Sequence, residues 1–317
     1  MIIQFMEPLS RAWNRMKIAL FRPFDIHKWF VVGFNAFLAG LMDATSGSGG
    51  GRGGKNGSFG EFIHFPQTAW AWLMDNPGWA IAILFLFVVA IVIGVVLTWA
   101  SSRGVFMFLD SVVQDRVEIA RPWREYQKEG NSLFVWRLLF GLVCITLFAA
   151  LAAVFFIQGA AIYDAGYSQA FPIALLIGLG LLALVIMLAC GTIALFLKDF
   201  VAALMYKNRI SAGAAWKIFM GLFGKYAFHF LGYGILLFLL MLLFFFIVIV
   251  AGLITCCVGW LLLVIPYIGT VVTLPFWYTL RAFSLEFLAQ FGPEYNVFPL
   301  PAVPPNLTPA MPADPGV

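Results

Sequence analysis

The chain has 317 residues, of which 62% are hydrophobic and only 11% are charged, and its mean hydropathy is +0.95. Soluble domains carry about 25% charged residues, so this composition excludes a soluble globular enzyme, a disordered protein and a disulfide-rich secreted scaffold. The net charge is +4, from 19 basic and 15 acidic residues. The sequence therefore predicts an all-α, polytopic helical membrane protein.

The first predicted element is an amphipathic helix from Glu7 to Phe21. Apolar residues recur along one face at helical spacing, and polar and basic residues lie opposite. A basic amphipathic helix with tryptophan on its apolar face is typical of the membrane interface, so this face is expected to contact lipid. It is formed by Leu9, Ala12, Trp13, Met16 and Leu20.

Six segments are long and apolar enough to be predicted membrane spans, since about 20 apolar residues cross the hydrocarbon layer. The first is the shortest. The last two come from a stretch without charges, Tyr226 to Leu280, which is too long for one span. The expected break lies at Cys256 to Gly259 and Pro266, and Pro275 is expected to kink the sixth span. The predicted spans are residues 26–44, 79–100, 133–156, 172–197, 228–255 and 267–287.

Residues 1–292 are predicted to form a single transmembrane domain, interrupted by a glycine-rich flexible loop at 46–60. A second interfacial helix with two tryptophans is expected after this loop, from Phe65 to Asn76. Beyond the domain, residues 298–317 are rich in proline and predict a disordered tail.

The basic residues predict the orientation of the spans. Seventeen lie on one side of the predicted membrane and only Arg52 and Lys55 lie on the other. By the positive-inside rule both termini are then cytoplasmic. If the first segment did not cross, the split would fall to 12 against 7, so six spans is the better interpretation. The predicted location is the cell membrane, the inner membrane in a cell that has two.

The segments before the odd spans resemble one another and predict an internal repeat. Arg116 is followed by Trp123 and Arg209 by Trp216 at the same spacing, and a basic residue follows each tryptophan. Trp13 occupies the corresponding place before the first span. Three units are expected, each a tryptophan-bearing interfacial helix followed by two spans. The alternative is that tryptophan and arginine are simply common at the inner interface of any polytopic protein. The even spans are also expected to continue as helices beyond the membrane, for example through Phe106 and Leu109.

Three segments carry a family resemblance: "EPLSRAWNRMKIALFRPFDIHKWFVVGF", "SSRGVFMFLDSVVQDRVEIARPWREYQKEGNSLFVWRL" and "FVAALMYKNRISAGAAW". They resemble uncharacterised bacterial six-span membrane proteins. These are distantly similar to the membrane domain attached to some glycerophosphoryl diester phosphodiesterases. The resemblance covers about residues 5–292. It does not imply hydrolase activity, because the catalytic barrel of those enzymes has no counterpart in this sequence.

No motif predicts catalysis, a metal or a cofactor. Residues 49–55 read G-x-x-x-x-G-K, but Asn56 replaces the hydroxyl residue of a phosphate loop and no strand precedes the motif. His27, His64 and His229 show no ligand spacing. The predicted spans contain no acidic residue near their centres, which argues against an ion-coupled pump. The chain is therefore predicted not to be an enzyme.

Two functions remain open from the sequence. The first is a non-enzymatic module that interacts with lipids or organises a membrane complex. Its expected partners are anionic headgroups on the cytoplasmic side and another membrane protein, and no nucleic acid. The alternative is a carrier or channel for a small apolar or lipid-like substrate, for which a cavity lined by Asn35 and Thr192 would be expected. The candidate lipid-contacting residues are Trp13, Arg15, Trp123, Arg124, Trp216 and Lys217.

Overall fold

The structure is a computed structural model and describes residues 3–46, 59–164, 171–255 and 258–299. Every regular element within these ranges is helical. A π-helical turn, Leu197–Val201, joins α8 to α9, and a 3₁₀ turn, Pro293–Tyr295, follows the last helix. The helices are α1 (Met6–Phe21), α2 (Ile26–Ser46), α3 (Phe59–Ile63), α4 (Phe65–Asp75), α5 (Pro77–Gln114), α6 (Ala120–Glu125), α7 (Gln127–Asp164), α8 (Phe171–Phe196), α9 (Ala202–Asn208), α10 (Ala212–Ile254), α11 (Val258–Val264), α12 (Pro266–Val272) and α13 (Leu274–Ala289).

Four helical segments are long and apolar enough to cross a membrane: α5, α7, α8 continued through α9, and α10. At 1.5 Å per residue, the 38 residues of α5 reach about 57 Å. The hydrocarbon layer is only about 30 Å thick. The all-helical, membrane-protein class predicted from the sequence is confirmed in this form. The apolar part of α2, Ile26–Leu41, is shorter than these four.

The buried core lies at one end of the long helices. In α5, Ser101 to Val113 are almost all buried, whereas the preceding residues from Pro77 are largely exposed. The same end gathers short helices whose buried side chains form one continuous cluster with it. We call this end the basal layer. It comprises α1, residues 101–114 of α5, α6, the first turns of α7 and α10, the π-helical turn with α9, and α13.

The apolar face of α1 packs inside the protein and not against lipid. Ala12, Met16 and Leu20 are at most 1% exposed, and α13 is the main neighbour of α1. Trp13 lies at the edge of this face and remains half exposed. The sequence predicted the helix and its amphipathic pattern. The partner differs, because α13 offers an apolar surface that covers the face more completely than headgroups do.

Helix α2 runs antiparallel to the basal half of α5. Lys28 Nζ lies 2.8 Å from Asp115 Oδ1, and further along Ser101 Oγ donates to the Ala39 carbonyl at 3.1 Å. Helix α3 instead contacts the opposite end of α7, where His64 Nε2 lies 3.2 Å from Asp164 Oδ1. Helix α2 therefore starts at the basal layer, whereas α3 lies at the far end of the long helices.

The close approach of α2 and α5 depends on Gly104. A Cβ atom at this position would lie 2.7 Å from the backbone of Leu38 and Ala39, closer than real Cβ contacts. We expect Gly104→Ala to lower the free energy of unfolding by about 1–3 kcal/mol through this overpacking. Gly94→Ala on the same helix is the matched control, because nothing lies within 4 Å of its Cβ and alanine favours helix. Thermal unfolding in detergent measures both; equal melting temperatures would contradict the α2–α5 contact.

The chain after α9 differs in detail from the predicted fifth and sixth spans. Helix α10 begins sixteen residues before Phe228 and has a kink at Tyr226, whose φ is −131° and ψ is 31°. The last apolar stretch is divided into α11, α12 and α13. The break between α12 and α13 falls at Thr273, just before Pro275, because proline starts a helix more readily than it continues one.

Several predictions fall on other parts of the chain. A helix is present where the interfacial helix was expected, as α4, with Trp70 and Trp72 exposed; its interfacial position stays a prediction. Most of the glycine-rich loop at 46–60, with its G-x-x-x-x-G-K sequence, lies outside the described residues. The tail beyond residue 299 and the Cys256–Cys257 pair lie outside them as well.

Candidate functional site

Asp110 is the most deeply buried carboxylate in the basal layer. It lies on α5 and is fully buried. Its Oδ1 accepts hydrogen bonds from the hydroxyls of Tyr126, at 3.2 Å, and Tyr206, at 2.8 Å. The two tyrosine rings stack with centroids 4.9 Å apart, and Arg116 Nη1 lies 3.9 Å from Oδ2. Asp110 thereby links α5 to the α6–α7 junction and to α9.

Arg209 covers the outer side of this cluster. Its guanidinium lies 4.0 Å from the centre of the Tyr126 ring, and it reaches Glu125 at 2.5 Å and Glu129 at 3.6 Å. Burial raises the pKa of Tyr126 to about 12. This hydroxyl therefore stays protonated at neutral pH and remains a hydrogen-bond donor to Asp110.

A second buried carboxylate, Asp199, lies on the π-helical turn. The Tyr233 hydroxyl donates to Asp199 Oδ2 at 3.0 Å. On the other side, Arg281 Nη1 lies 3.5 Å from Oδ1 and donates to the Lys198 carbonyl at 2.6 Å. Both charged side chains are largely buried. Arg281 thus bonds both to a backbone carbonyl and to a side chain of the π-helical turn, a kind of turn often found at functional positions.

The third pair joins α13 to α1. Arg15 Nη2 lies 2.8 Å from Glu286 Oε1, and its guanidinium lies 3.6 Å from the centre of the Phe298 ring. The three pairs are Asp110 with Arg116, Asp199 with Arg281, and Glu286 with Arg15. In the last two pairs the arginine comes from a different helix than the acid, and Arg116 follows the end of α5. The arrangement holds helices together through charge-assisted bonds. No group of three potential metal ligands occurs among the described residues.

Some of the predicted lipid-contacting residues have partners within the protein, and others are exposed without one in the described part of the chain. Arg15 is engaged by Glu286, so its charge serves the fold. Trp123 lies edge-on to Trp99, with centroids 5.6 Å apart, and Arg103 lies against both indoles. Arg124 is exposed, and no partner for it lies within the described ranges.

Trp216 and Lys217 lie near the start of the long helix α10, which begins at Ala212. The Trp216 indole stacks on Trp136 of α7 at 5.3 Å, while Lys217 points away and is exposed. Trp13 is half exposed on α1. The structure thus places Trp13, Trp123 and Trp216 on three separate parts of the basal layer, the last two each packed against an indole of a long helix.

Sequence reasoning missed the buried acids Asp110, Asp199 and Glu286. A usable signal exists, since each interrupts an apolar helical run that continues on both sides: FLDSV, LKDFV and SLEFL. Such an acid on an otherwise apolar helix requires a buried partner. The identity of the partners has no local signal, because Arg281 follows Asp199 by 82 residues and Glu286 follows Arg15 by 271.

The comparisons with known proteins add a family but no activity. The model of a family of unknown function, DUF7544, matches residues 4–292. This range includes every helix described above. Neither a curated protein nor a solved structure matches the chain at a significant level.

Proposed function

The chain belongs to the DUF7544 family, and from its own geometry we propose that it is a non-enzymatic membrane module that interacts with lipids and organises a membrane complex. One observation carries this proposal. In the most apolar stretches of α5 and α7 no described residue is buried, and in those of α8–α9 and α10 only 6% are. The long helices are joined at the basal layer and leave their apolar lengths uncovered for lipid or another membrane protein.

The basal layer and the exposed apolar lengths of the long helices have different roles because their surroundings differ. Water drives burial of apolar side chains in the basal layer, whereas lipid tails are as apolar as leucine and give no such drive between spans. The buried ion pairs hold the helix ends in a set arrangement. The exposed lengths then present wide apolar surfaces to the bilayer, which is what a scaffold for lipids or partner helices requires.

We propose six membrane passages, with both termini in the cytoplasm. The 17 to 2 division of basic residues supports this, as does the position of the start of α2 at the basal layer and of α3 at the far end of the long helices.

Cysteine labelling tests this topology. A membrane-impermeant thiol reagent applied to intact cells should label a cysteine introduced at Ser58 and should not label one introduced at Lys128. The native cysteines are replaced by serine in both variants, and permeabilised cells serve as the control for reactivity. Labelling at Lys128 in intact cells would refute the proposed orientation.

The pseudo-repeat is also proposed, and the helix ends support it. Helices α5 and α9 both end at a residue in the left-handed conformation, Asp115 and Arg209. These precede Trp123 and Trp216 by eight and seven residues. A helix break then follows in each unit, at Tyr126 and at Tyr226. The two units therefore share the order of these elements, although the distance from the left-handed residue to the tryptophan differs by one residue and that from the tryptophan to the break by seven.

The alternative function is transport of a lipid-like substrate, and the uncovered sides of the long helices favour it over transport of a polar solute. Asn35 is fully buried and donates to Ser111 Oγ at 2.9 Å. Thr192 bonds to the Leu188 carbonyl of its own helix. Asn35 bonds to another helix and Thr192 to its own, so the hydrogen bonds of these two groups give no support to a polar path that they would line together.

Reconstitution distinguishes the two functions. Purified chain in liposomes is expected to leave the transbilayer distribution of a fluorescent phospholipid unchanged and to retain phospholipid when extracted again. It is expected not to hydrolyse ATP or a glycerophosphodiester. Rapid phospholipid exchange between leaflets would favour the carrier. Turnover of either compound that is lost on Lys55→Ala would refute a non-enzymatic role.

A further inference from the structure

The basic residues of the basal layer divide into two classes. Most have a partner within the protein, such as a carboxylate, a carbonyl or an indole. These paired cations are Arg11, Arg15, Lys28, Arg103, Arg116, Arg121, Arg137, Lys198, Lys207, Arg209 and Arg281.

The second class is exposed and has no polar partner within the part of the chain that the structure describes. It contains six residues, two in each tryptophan-bearing segment. We call them the free cations. They are Lys17 and Arg22 after Trp13, Arg124 and Lys128 after Trp123, and Lys217 and Lys225 after Trp216.

The free cations lie beside exposed apolar surface. Arg22 stands between Phe21 and Phe24, and Lys225 precedes Phe228, which is 88% exposed. Lys128 begins α7, whose first large exposed apolar residue is Val135, about 10 Å along the helix axis. Lysine and arginine side chains extend several ångströms and place their charge at the headgroup level while their stems cover apolar surface.

We infer that the six free cations bind the phosphate groups of anionic phospholipids, one pair for each tryptophan-bearing segment. This inference rests on the proposed lipid-interacting function and names the headgroup chemistry and the residues. Lys128 and Lys225 lie on the long apolar helices α7 and α10, and Arg22 precedes the shorter apolar helix α2, so these positions keep the three cations near the membrane surface. The absence of an internal counter-charge leaves their full charge for a lipid phosphate. Arg15, which the sequence suggested, is replaced in this role by Lys17 and Arg22.

The test compares three double variants that each remove two positive charges. The first is Lys128→Gln with Lys225→Gln, two free cations. The second is Arg11→Gln with Arg121→Gln, exposed cations that are paired with glutamates on their own helices. The third is Arg52→Gln with Lys55→Gln, in the glycine-rich loop. Each purified variant is equilibrated with equal amounts of phosphatidylglycerol and phosphatidylcholine in micelles, and the retained lipids are counted by mass spectrometry.

The unchanged chain is expected to retain more phosphatidylglycerol than phosphatidylcholine. Binding at two of three sites should weaken about fivefold in the first variant, which lowers the retained lipid ratio about twofold. The other two variants should keep the original ratio. An equal fall in all three would show a general charge effect, and no fall in the first would show that these residues bind no headgroup. Either result overturns the inference.

Two further measurements separate this inference from the proposed function and from misfolding. Total retained phospholipid reports on the proposed function: if it is negligible in the unchanged chain, that function fails first. The charge-conserving variant Lys128→Arg with Lys225→Arg should keep the original lipid ratio. A lost ratio in this variant, with an unchanged melting temperature, would also contradict simple phosphate binding.

Discussion

Replacing Arg281 with methionine is expected to give the largest loss of stability of any single substitution considered. Its side chain is 4% exposed and its partner Asp199 is 13% exposed. Removing the guanidinium takes the positive charge away from the Asp199 carboxylate, which accepts from the Tyr233 hydroxyl, and removes the donor to the Lys198 carbonyl. Breaking a buried ion pair on one side costs about 3–5 kcal/mol. Thermal unfolding in detergent, followed by retention on a sizing column, measures the loss.

A double substitution makes this prediction specific. Asp199→Leu combined with Arg281→Met removes both charges, and the combination is expected to be more stable than Arg281→Met alone, since no lone charge stays buried. Arg121→Met is the control, because Arg121 is 61% exposed and exposed pairs contribute little. If the double variant were as unstable as the sum of the two single variants, Asp199 and Arg281 would not form a coupled pair.

Replacing Asp110 with alanine is expected to destabilise the basal layer by about 2–5 kcal/mol. The Tyr126 and Tyr206 hydroxyls both donate to one oxygen of this carboxylate. Each buried hydroxyl that loses its acceptor costs about 1–3 kcal/mol. The raised pKa of Tyr126 keeps its proton in place, so the hydroxyl cannot escape the cost by ionising near neutral pH. The melting temperature in detergent is the measurement.

Two variants sharpen the interpretation. Asp110→Asn retains an acceptor oxygen of the same shape and should lose less stability than Asp110→Ala. Glu118→Ala removes an exposed acid of the same charge from the neighbouring loop and should change the melting temperature little. If Asp110→Ala and Glu118→Ala had equal melting temperatures, the hydrogen bonds from the two tyrosines would contribute nothing to stability.

The boundary in α5 between the predicted span and the buried basal part could be predicted from the local sequence pattern. The sequence predicts that the second span ends at Ala100 and that the helix continues through Phe106 and Leu109. The structure continues α5 to Gln114, and burial begins at Ser101. This agreement has a simple cause: helical periodicity is a property of neighbouring residues, and a helix needs only local hydrogen bonds.

Helix α1 shows what the local sequence pattern cannot predict, namely which surface covers an apolar face. Its apolar face predicts burial but does not distinguish lipid from protein as the covering surface. The answer depends on α13, which lies more than 250 residues later and brings Glu286 to Arg15. The same reason explains why Arg15 and Arg124 looked alike in the sequence. Both follow a tryptophan closely, yet one is paired and the other is free.

The sequence by itself determined the class of this protein: an all-helical membrane chain, with apolar lengths and amphipathic segments at predictable positions. Those features follow from composition and from periodicity within about 20 residues. Only the tertiary structure decided which charged residues lie in buried ion pairs and which remain exposed. Ion pairing needs atoms within about 4 Å, and here the partners Asp199 and Arg281, or Arg15 and Glu286, meet only after distant helices have packed.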